Sequence, residues 1–348
     1  MVIKSVDIKN FTVFEDTRCD FSPGVNLFIG DNGTGKTHLL KILYAMTNTL
    51  TYTTLYEGEN TFDGKPVTIT NNFDHVILPM FNSPVEGLLI NLVRNKADEY
   101  ESAKVEIETD NETITSYVAG LGFLTAINSS DIKGRIAEHE ALFIPAKDML
   151  SHSGLENDYA KRELPFDLTL MRILGDLKIS RLREHSEVSK ALMNKIAKEV
   201  GGKVLYKNGG YFIDKGDSQI NIALEAEGFK KLAVLYRALD TGYLQPGSIL
   251  FWDEPEANLS PKLMSAVVDI LLELAQHGVQ VFLATHDYLL MKYFCIKRQA
   301  TDHVCYHSLY KKNGSVVCDS NPDYERLKHN PIVEANIQLL EDKYNGGL

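Results

Sequence analysis

The sequence predicts an α/β fold: a core sheet built around a phosphate-binding loop and flanked by helices, an N-terminal β-lobe, and a mixed α/β insertion. Three observations carry that prediction. An apolar strand pattern at Val25–Ile29, a glycine-rich loop and an amphipathic helix to about Met46 follow one another without a break. Two further apolar strand patterns, at 248–252 and 279–284, each run into a polar cluster, and a helical pattern from Pro261 to about His277 lies between them. The stretch 51–215 mixes strand, hairpin and helix signals, so the core is split in sequence.

The elements follow in order. Residues 2–9 alternate in polarity, as a half-buried strand does. A second piece at 17–21 and the turn Ser22-Pro23-Gly24 complete a small β-lobe before the loop. After the helix come strand-like pieces at 67–69 and 76–78, with turn signals at 63–64 and 83–84, then a hairpin of 104–109 and 113–118 around Asp110-Asn111. Residues 141–145 read as a short core strand, and 165 to about 200 as helical, ended by Gly201-Gly202. A hairpin turning at 208–210 precedes the return of the compact α/β pattern from Ile220. Strand-like pieces at 304–309 and 315–318 follow, and Pro331 opens a terminal helix. The expected division is a split head of 1–50 and 216–348 with 51–215 inserted.

Composition excludes several classes. The 348 residues suffice for a real core, and 44% apolar with 24% charged residues is ordinary for a globular chain. A formal net charge of −11 argues against coating nucleic acid non-specifically. Locally basic residues between 161 and 207, such as Lys161, Arg162, Arg181 and Arg183, leave a nucleic-acid-facing patch as one reading and a solvated helical face as the default. Cys19, Cys295, Cys305 and Cys318 show no paired spacing and read as reduced thiols in a cytoplasmic protein. With no signal peptide and no apolar run of about twenty residues, no membrane is expected. His303, Cys305 and His307 alternate along one strand pattern; a packed strand is the expected reading over a metal site.

The chemistry begins at the loop. Gly30, Gly35, Lys36 and Thr37 fit the pattern G-x-x-x-x-G-K-[ST], with Gly33 as an extra glycine. Glycines let the backbone approach phosphate, and the helix that follows offers its N-terminal dipole. The expected nucleotide-binding stretch is Asn32, Gly33, Thr34, Gly35, Lys36, Thr37 and His38. Lys36 supplies charge for the β- and γ-phosphates, and Thr37 a hydroxyl for Mg²⁺. The strand at 249–253 ends in Asp253-Glu254. Asp253 is the candidate to hold Mg²⁺ with Thr37, and Glu254 to deprotonate an attacking water. His286, ending the next strand, is the candidate γ-phosphate contact.

This order resembles the ABC-type ATPases, in particular the SMC-like and OLD-like branch. The resemblance rests on the loop, on Asn10-Phe11-Thr12-Val13-Phe14-Glu15-Asp16, on Asp253-Glu254-Pro255-Glu256-Ala257-Asn258-Leu259-Ser260-Pro261 and on Thr285-His286. Thr12 stands where an arginine is common, and Ser260 where a histidine is usual. The resemblance implies ATP and Mg²⁺ as ligands. It also implies a homodimer or higher homo-oligomer, with a signature helix that clamps the partner subunit's γ-phosphate. Gly228 opens the matching helix, with Ala226 in the serine's place and Lys230 or Lys231 as replacement contacts. The segment 142–151 is similar to one in the ATPase subunits of Septu-type and retron-associated anti-phage systems. That likeness implies a switch acting on a separate HNH-type nuclease, with retron RNA/DNA or target DNA as a further partner. The alternative is a DNA-repair or chromosome-associated ATPase acting directly on DNA. No heptad pattern is sustained, so no long coiled coil is expected.

Overall fold

A computed structural model describes residues 1–52, 61–62, 65–66, 68–70, 80–81, 92–94, 102–119, 122–128, 141–155, 158–159 and 167–345. The expected strand at 76–78, the turns at 63–64 and 83–84, and Lys161, Arg162 and Val67 lie outside the described residues. In chain order the strands are β1 (Ile3–Phe11), β2 (Phe14–Asp20), β3 (Val25–Ile29), β4 (Thr61–Phe62), β5 (Lys65–Pro66), β6 (Thr68–Thr70), β7 (Ala103–Thr109), β8 (Thr113–Ala119), β9 (Gly122–Asn128) and β10 (Ala141–Ile144). They continue as β11 (Lys203–Lys207), β12 (Gly210–Asp214), β13 (Gln219–Asn221), β14 (Ile249–Asp253), β15 (Gln280–Ala284), β16 (Val304–Lys312) and β17 (Ser315–Asn321). The helices are α1 (Lys36–Tyr52), α2 (Leu168–Asp176), α3 (Glu187–Val200), α4 (Glu227–Thr241), α5 (Pro261–Gln276), α6 (Tyr288–Lys297) and α7 (Pro331–Asn345).

The core sheet runs β10-β14-β15-β3-β16-β17. Its first five strands are parallel, and β17 returns antiparallel to β16. Both faces are covered, which is why every residue of β3 and β15 is buried, Asn26 and Gln280 included. Val25, Leu27, Leu250, Trp252, Val281 and Leu283 point into one core, with α4, α5 and α6. Phe28, Phe251 and Phe282 point into the other, with α1 and the β-lobe, and stack along the sheet. The β-lobe is a second sheet, β2-β1-β7-β8-β9-β6. Strands from the 51–215 stretch therefore complete the β-lobe, and β10 from the same stretch edges the core. Strand β1 pairs with β7, and Ile3, Val6 and Ile8 lie in one buried cluster with Val105 and Ile107.

Three expectations change. Helix α1 runs past Met46 to Tyr52 because Thr47 and Asn48 bond back to the Leu43 and Tyr44 carbonyls instead of stopping the helix. The single helical stretch from 165 becomes α2 and α3. Between them Leu177, Ile179 and Leu182 are held to α4: Arg237 donates to the Leu177 and Ile179 carbonyls, and the Leu182 amide donates to the Asp240 carbonyl. Helix α6 has no expected counterpart; its apolar residues form no clear stripe, and Asp287 caps it by accepting from the Leu290 amide at 2.7 Å. Among the described residues, no helix is long and apolar enough to cross a membrane.

Candidate nucleotide site

Strand β3 delivers the loop, and α1 begins at Lys36. Gly33 sits at φ +76° with open space where a Cβ would stand. Gly35, at φ +87°, has none to spare: a Cβ there would lie 2.6 Å from Val13 and 2.7 Å from Phe14. The β1–β2 turn thus packs directly on the loop, which gives the segment after Asn10 its place beside the site. A cavity of about 220 Å³ opens between Val13, Asn32, Gly33, Gly35, Lys36, Thr37, His38, Asp253 and Glu254.

The side chains within it converge from three elements. Lys36 Nζ donates to the carbonyls of Gly30 at 2.6 Å and Asp31 at 2.9 Å, so the ammonium folds back over the loop. Thr37 Oγ1 donates to the Asp253 carboxylate, 3.1 and 3.0 Å from its two oxygens. Burial pushes the Lys36 ammonium below its ordinary range and the Asp253 carboxyl above its own. Each group is short of the counter-charge that a phosphate or a divalent cation brings. A hydroxyl and a carboxylate side by side are the oxygen donors Mg²⁺ prefers, so these residues fit Mg²⁺ and a nucleotide polyphosphate. Thr34 turns its hydroxyl to the Asp31 carbonyl at 2.8 Å. His38 packs edge-on against Phe81, and burial lowers its pKa; among the described residues its Nδ1 has no hydrogen-bond partner.

Glu254 follows β14 in a left-handed conformation, φ +47°, unusual for a residue other than glycine. Its backbone is pinned on both sides. The amide donates to the Ala284 carbonyl at 2.9 Å, and its carbonyl accepts from Lys231 Nζ at 2.7 Å. His286 Nδ1 lies 3.5 Å from Glu254 Oε1 and 3.8 Å from Glu256 Oε1. Glu256 is buried, its carboxyl is raised by that burial, and it accepts from Thr285 Oγ1 at 2.7 Å and the His286 amide at 3.2 Å. Glu256 thus sets the His286 backbone beside Glu254.

The structure brings together the loop, Thr37, Asp253, Glu254 and His286. It does not bring Gly228 or Lys230 to the same cavity: no α4 residue is among its described lining. Gly228 packs against the start of α5, where a Cβ would lie 3.0 Å from Leu263 and 3.2 Å from Leu259. Ala226 caps α4 without a side-chain hydrogen bond. Lys230 is buried and ion-paired with Glu227 at 2.6 Å and Asp148 at 3.5 Å. Asp148 belongs to the segment after β10, so that segment meets α4. Lys231 is also buried, and burial lowers its pKa to about 8. Neither lysine is the ordinary surface residue that their adjacency on a helix suggests. Ser260, which departs from the usual histidine, accepts from the Leu263 amide and caps α5.

Comparisons with known proteins fit this geometry. A family described as "AAA ATPase domain" matches residues 1–140, and one described as "AAA domain, putative AbiEii toxin, Type IV TA system" matches residues 72–292. Curated relatives include the DNA replication and repair protein RecF of Lactococcus lactis subsp. cremoris, 36% identical over 59 residues, which is 17% of this chain and 16% of the relative. RecF of Azobacteroides pseudotrichonymphae is 42% identical over 59 residues, again 17% and 16%. The match therefore spans only about a sixth of these relatives' length. Among solved structures, an SMC head bound to the C-winged helix domain of ScpA aligns with a TM-score of 0.58 at 14% identity, covering 93% of this chain and 99% of that one. An Smc head with an extended coiled coil, bound to the C-terminal domain of ScpA derived from Pyrococcus furiosus, gives 0.54 at 13% identity, covering 99% of each. The fold is thus that of an SMC/ABC-type ATPase head, and, matched over more than half its length, the chain belongs to the AAA-domain family whose model spans residues 72–292.

Proposed function

We propose that the chain is an ATP-hydrolysing switch subunit that closes on a second copy of itself around ATP and Mg²⁺. The observation that carries this reading is the convergence of Lys36, Thr37, Asp253 and Glu254 on one cavity that α4 does not reach. ATP with Mg²⁺ supplies the transferable phosphoryl group and the metal's charge neutralisation. Lys36 and the loop amides bind phosphate oxygens. Thr37 and Asp253 hold the metal, and Glu254 accepts a proton from water at its carboxylate. His286, next to Glu254, reads the γ-phosphate. The uncapped start of α4, with Gly228 and Lys230, serves the partner subunit's nucleotide. In domain terms, 1–50 and 216–348 form the head, and 51–215 is an insertion in sequence whose strands build into it.

The downstream reading is control of a separate HNH-type nuclease in anti-phage defence of the Septu or retron-associated kind, within the cytoplasm. It is supported by the 142–151 segment beside α4 and by the toxin–antitoxin description of the matched family. Co-purification of a nuclease from the native host, and loss of phage resistance in a Lys36→Ala strain, are the expected results. Unimpaired resistance with no nuclease bound would overturn it. The RecF match favours a second reading, direct action on DNA in repair. That reading requires DNA-stimulated hydrolysis and duplex binding that weakens steeply with salt.

A further inference from the structure

A thiol cluster lies in the seam between the β-lobe and the core sheet. Cys318 is half-buried on β17, the edge strand of the core. Its Sγ is 3.5 Å from Ser320 Oγ. Ser320 Oγ is 2.7 Å from Nδ1 of His307, its register partner on β16. His307 is fully buried between the rings of Phe21 and Phe28. Its Nε2 is 3.1 Å from Asn26 Oδ1. Ser22 fixes that amide, donating its own N–H to Oδ1 and accepting from Nδ2. Oδ1 has no proton to give, so Nε2 carries one, and Nδ1 shares a second with Ser320, accepting it from the hydroxyl when the ring is neutral and giving it when the ring is charged. The result is a directed chain from the Cys318 thiol through a hydroxyl to an imidazole.

Cys19 completes the cluster from β2. It is 1% exposed, in the apolar cluster against which Cys318 packs, and two residues before it Thr17 Oγ1 donates to the Val316 carbonyl at 2.6 Å, so β2 and β17 lie side by side here. Cys19 and the His307 imidazole pull the Cys318 thiol down, while burial and the neighbouring sulfur push Cys19 up. Burial opposes charge on His307, but Cys305 and Cys318 outweigh it and raise the imidazole. The negative charges of Asp20 and Asp7 also raise Cys19. The two thiols are thus unequal, Cys318 the more acidic and Cys19 the less. Among the described residues, no group of three His, Cys, Asp or Glu side chains is arranged to hold a metal ion.

We propose that Cys318 and Cys19 are an oxidation site for a small peroxide, joined by it into a disulfide that staples β2 to β17. The Cys318 thiolate attacks one peroxide oxygen; an S–O bond forms, the O–O bond breaks, and hydroxide leaves. The proton held at His307 returns to that hydroxide, giving water and a sulfenic acid. The Cys19 thiol then attacks the Cys318 sulfur; the S–S bond forms, the S–O bond breaks, and the Cys19 proton leaves with hydroxide as a second water. Two thiols lose two electrons together, and one peroxide is reduced to two waters.

The test treats the reduced full chain with hydrogen peroxide, alkylates the remaining thiols and maps the peptides by mass spectrometry. The expected map joins the Cys19 and Cys318 peptides and leaves Cys295 and Cys305 alkylated. Cys19→Ser is expected to leave a dimedone-reactive sulfenic acid on Cys318, and Cys318→Ser to leave neither product. Alkylation of Cys318 by iodoacetamide should titrate well below the ordinary thiol value of about 8.5, and Ser320→Ala should slow it about tenfold near pH 6.5. Oxidation first at Cys295 or Cys305, or a Cys318 that titrates as a free thiol, overturns the proposal. The wild-type map and alkylation profile need no substitution, so they decide the matter even where a variant fails to fold.

Discussion

Glu254 holds a left-handed backbone that costs a non-glycine residue roughly 1–3 kcal/mol unless its surroundings enforce it. Lys231 is part of that enforcement, donating to the carbonyls of Glu254 at 2.7 Å and Pro255 at 3.3 Å. It touches neither nucleotide nor water in this scheme and acts as a positioning residue for Glu254. Lys231→Met is therefore expected to lower kcat for ATP hydrolysis about 10–100-fold with little change in KM, since small misplacements of a reacting group cost that much. The wild-type pH profile carries a second sign. Burial lowers Lys231 to about 8 from 10.5, so turnover should fall as pH rises through about 8 and the ammonium is lost. Its contribution to folding stability runs the other way. Between about 8 and 10.5 the unfolded chain holds the proton that the folded chain has released, so this contribution rises with pH. Loss of kcat above pH 8 in a protein whose melting temperature has not fallen separates the two. That Lys36, Thr37 and Asp253 meet in one cavity was legible in the sequence, because a glycine-rich loop pattern marks the first two and an apolar strand ending in paired carboxylates marks the third. Lys231 was not, because its partners are two backbone carbonyls brought near only by the packing of α4.

At the scale of elements, the β1–β2 turn and the phosphate loop behave as one piece, since Gly35 has no room for a Cβ beside Val13 and Phe14. Gly35→Ala must both strain a φ of +87° and displace that turn. Expected outcomes are a stability loss of about 1–3 kcal/mol by urea denaturation and a matching loss of ATP affinity by calorimetry. Arg237 tests a different joint. It is buried, pairs with Asp240, and holds the chain between α2 and α3 through two carbonyls. Arg237→Met leaves Asp240 as a buried carboxylate whose remaining close ionic partner is His185 at 3.2 Å. A loss of about 3–5 kcal/mol is expected by urea denaturation. Strands β3, β14 and β15 were readable because burial on both faces makes nearly every position apolar, with Asn26 as the polar exception inside β3. The break between α2 and α3 was not, because it is imposed by Arg237 and Asp240, some sixty residues away in sequence. The partnership of β7–β9 with β1 was hidden for a related reason. Alternating polarity reveals a strand and its inward face, but not which distant strand covers it.

At the scale of the whole molecule, the described residues of each chain hold a phosphate-loop cavity and, outside it, the start of α4, whose first turn has no side-chain cap. In the proposed twofold dimer, each copy would lend its α4 start to the other's loop, giving two composite sites per dimer. This makes a prediction that a single-chain site cannot meet. Lys36→Ala removes the loop half of a site, and Gly228→Asp sets a carboxylate where a phosphate must come; each variant alone should be inactive. In a heterodimer, the intact loop of the second faces the intact α4 of the first. One of its two sites is then whole. Mixing the variants one to one should restore about a quarter of wild-type ATPase activity, because half of the dimers formed are mixed and each carries one whole site. Native mass spectrometry of the Glu254→Gln chain with ATP supplies the assembly readout, with a dimer expected only when nucleotide is present. Recovery absent from the mixture, with both variants folded, would mean that each chain completes its own site.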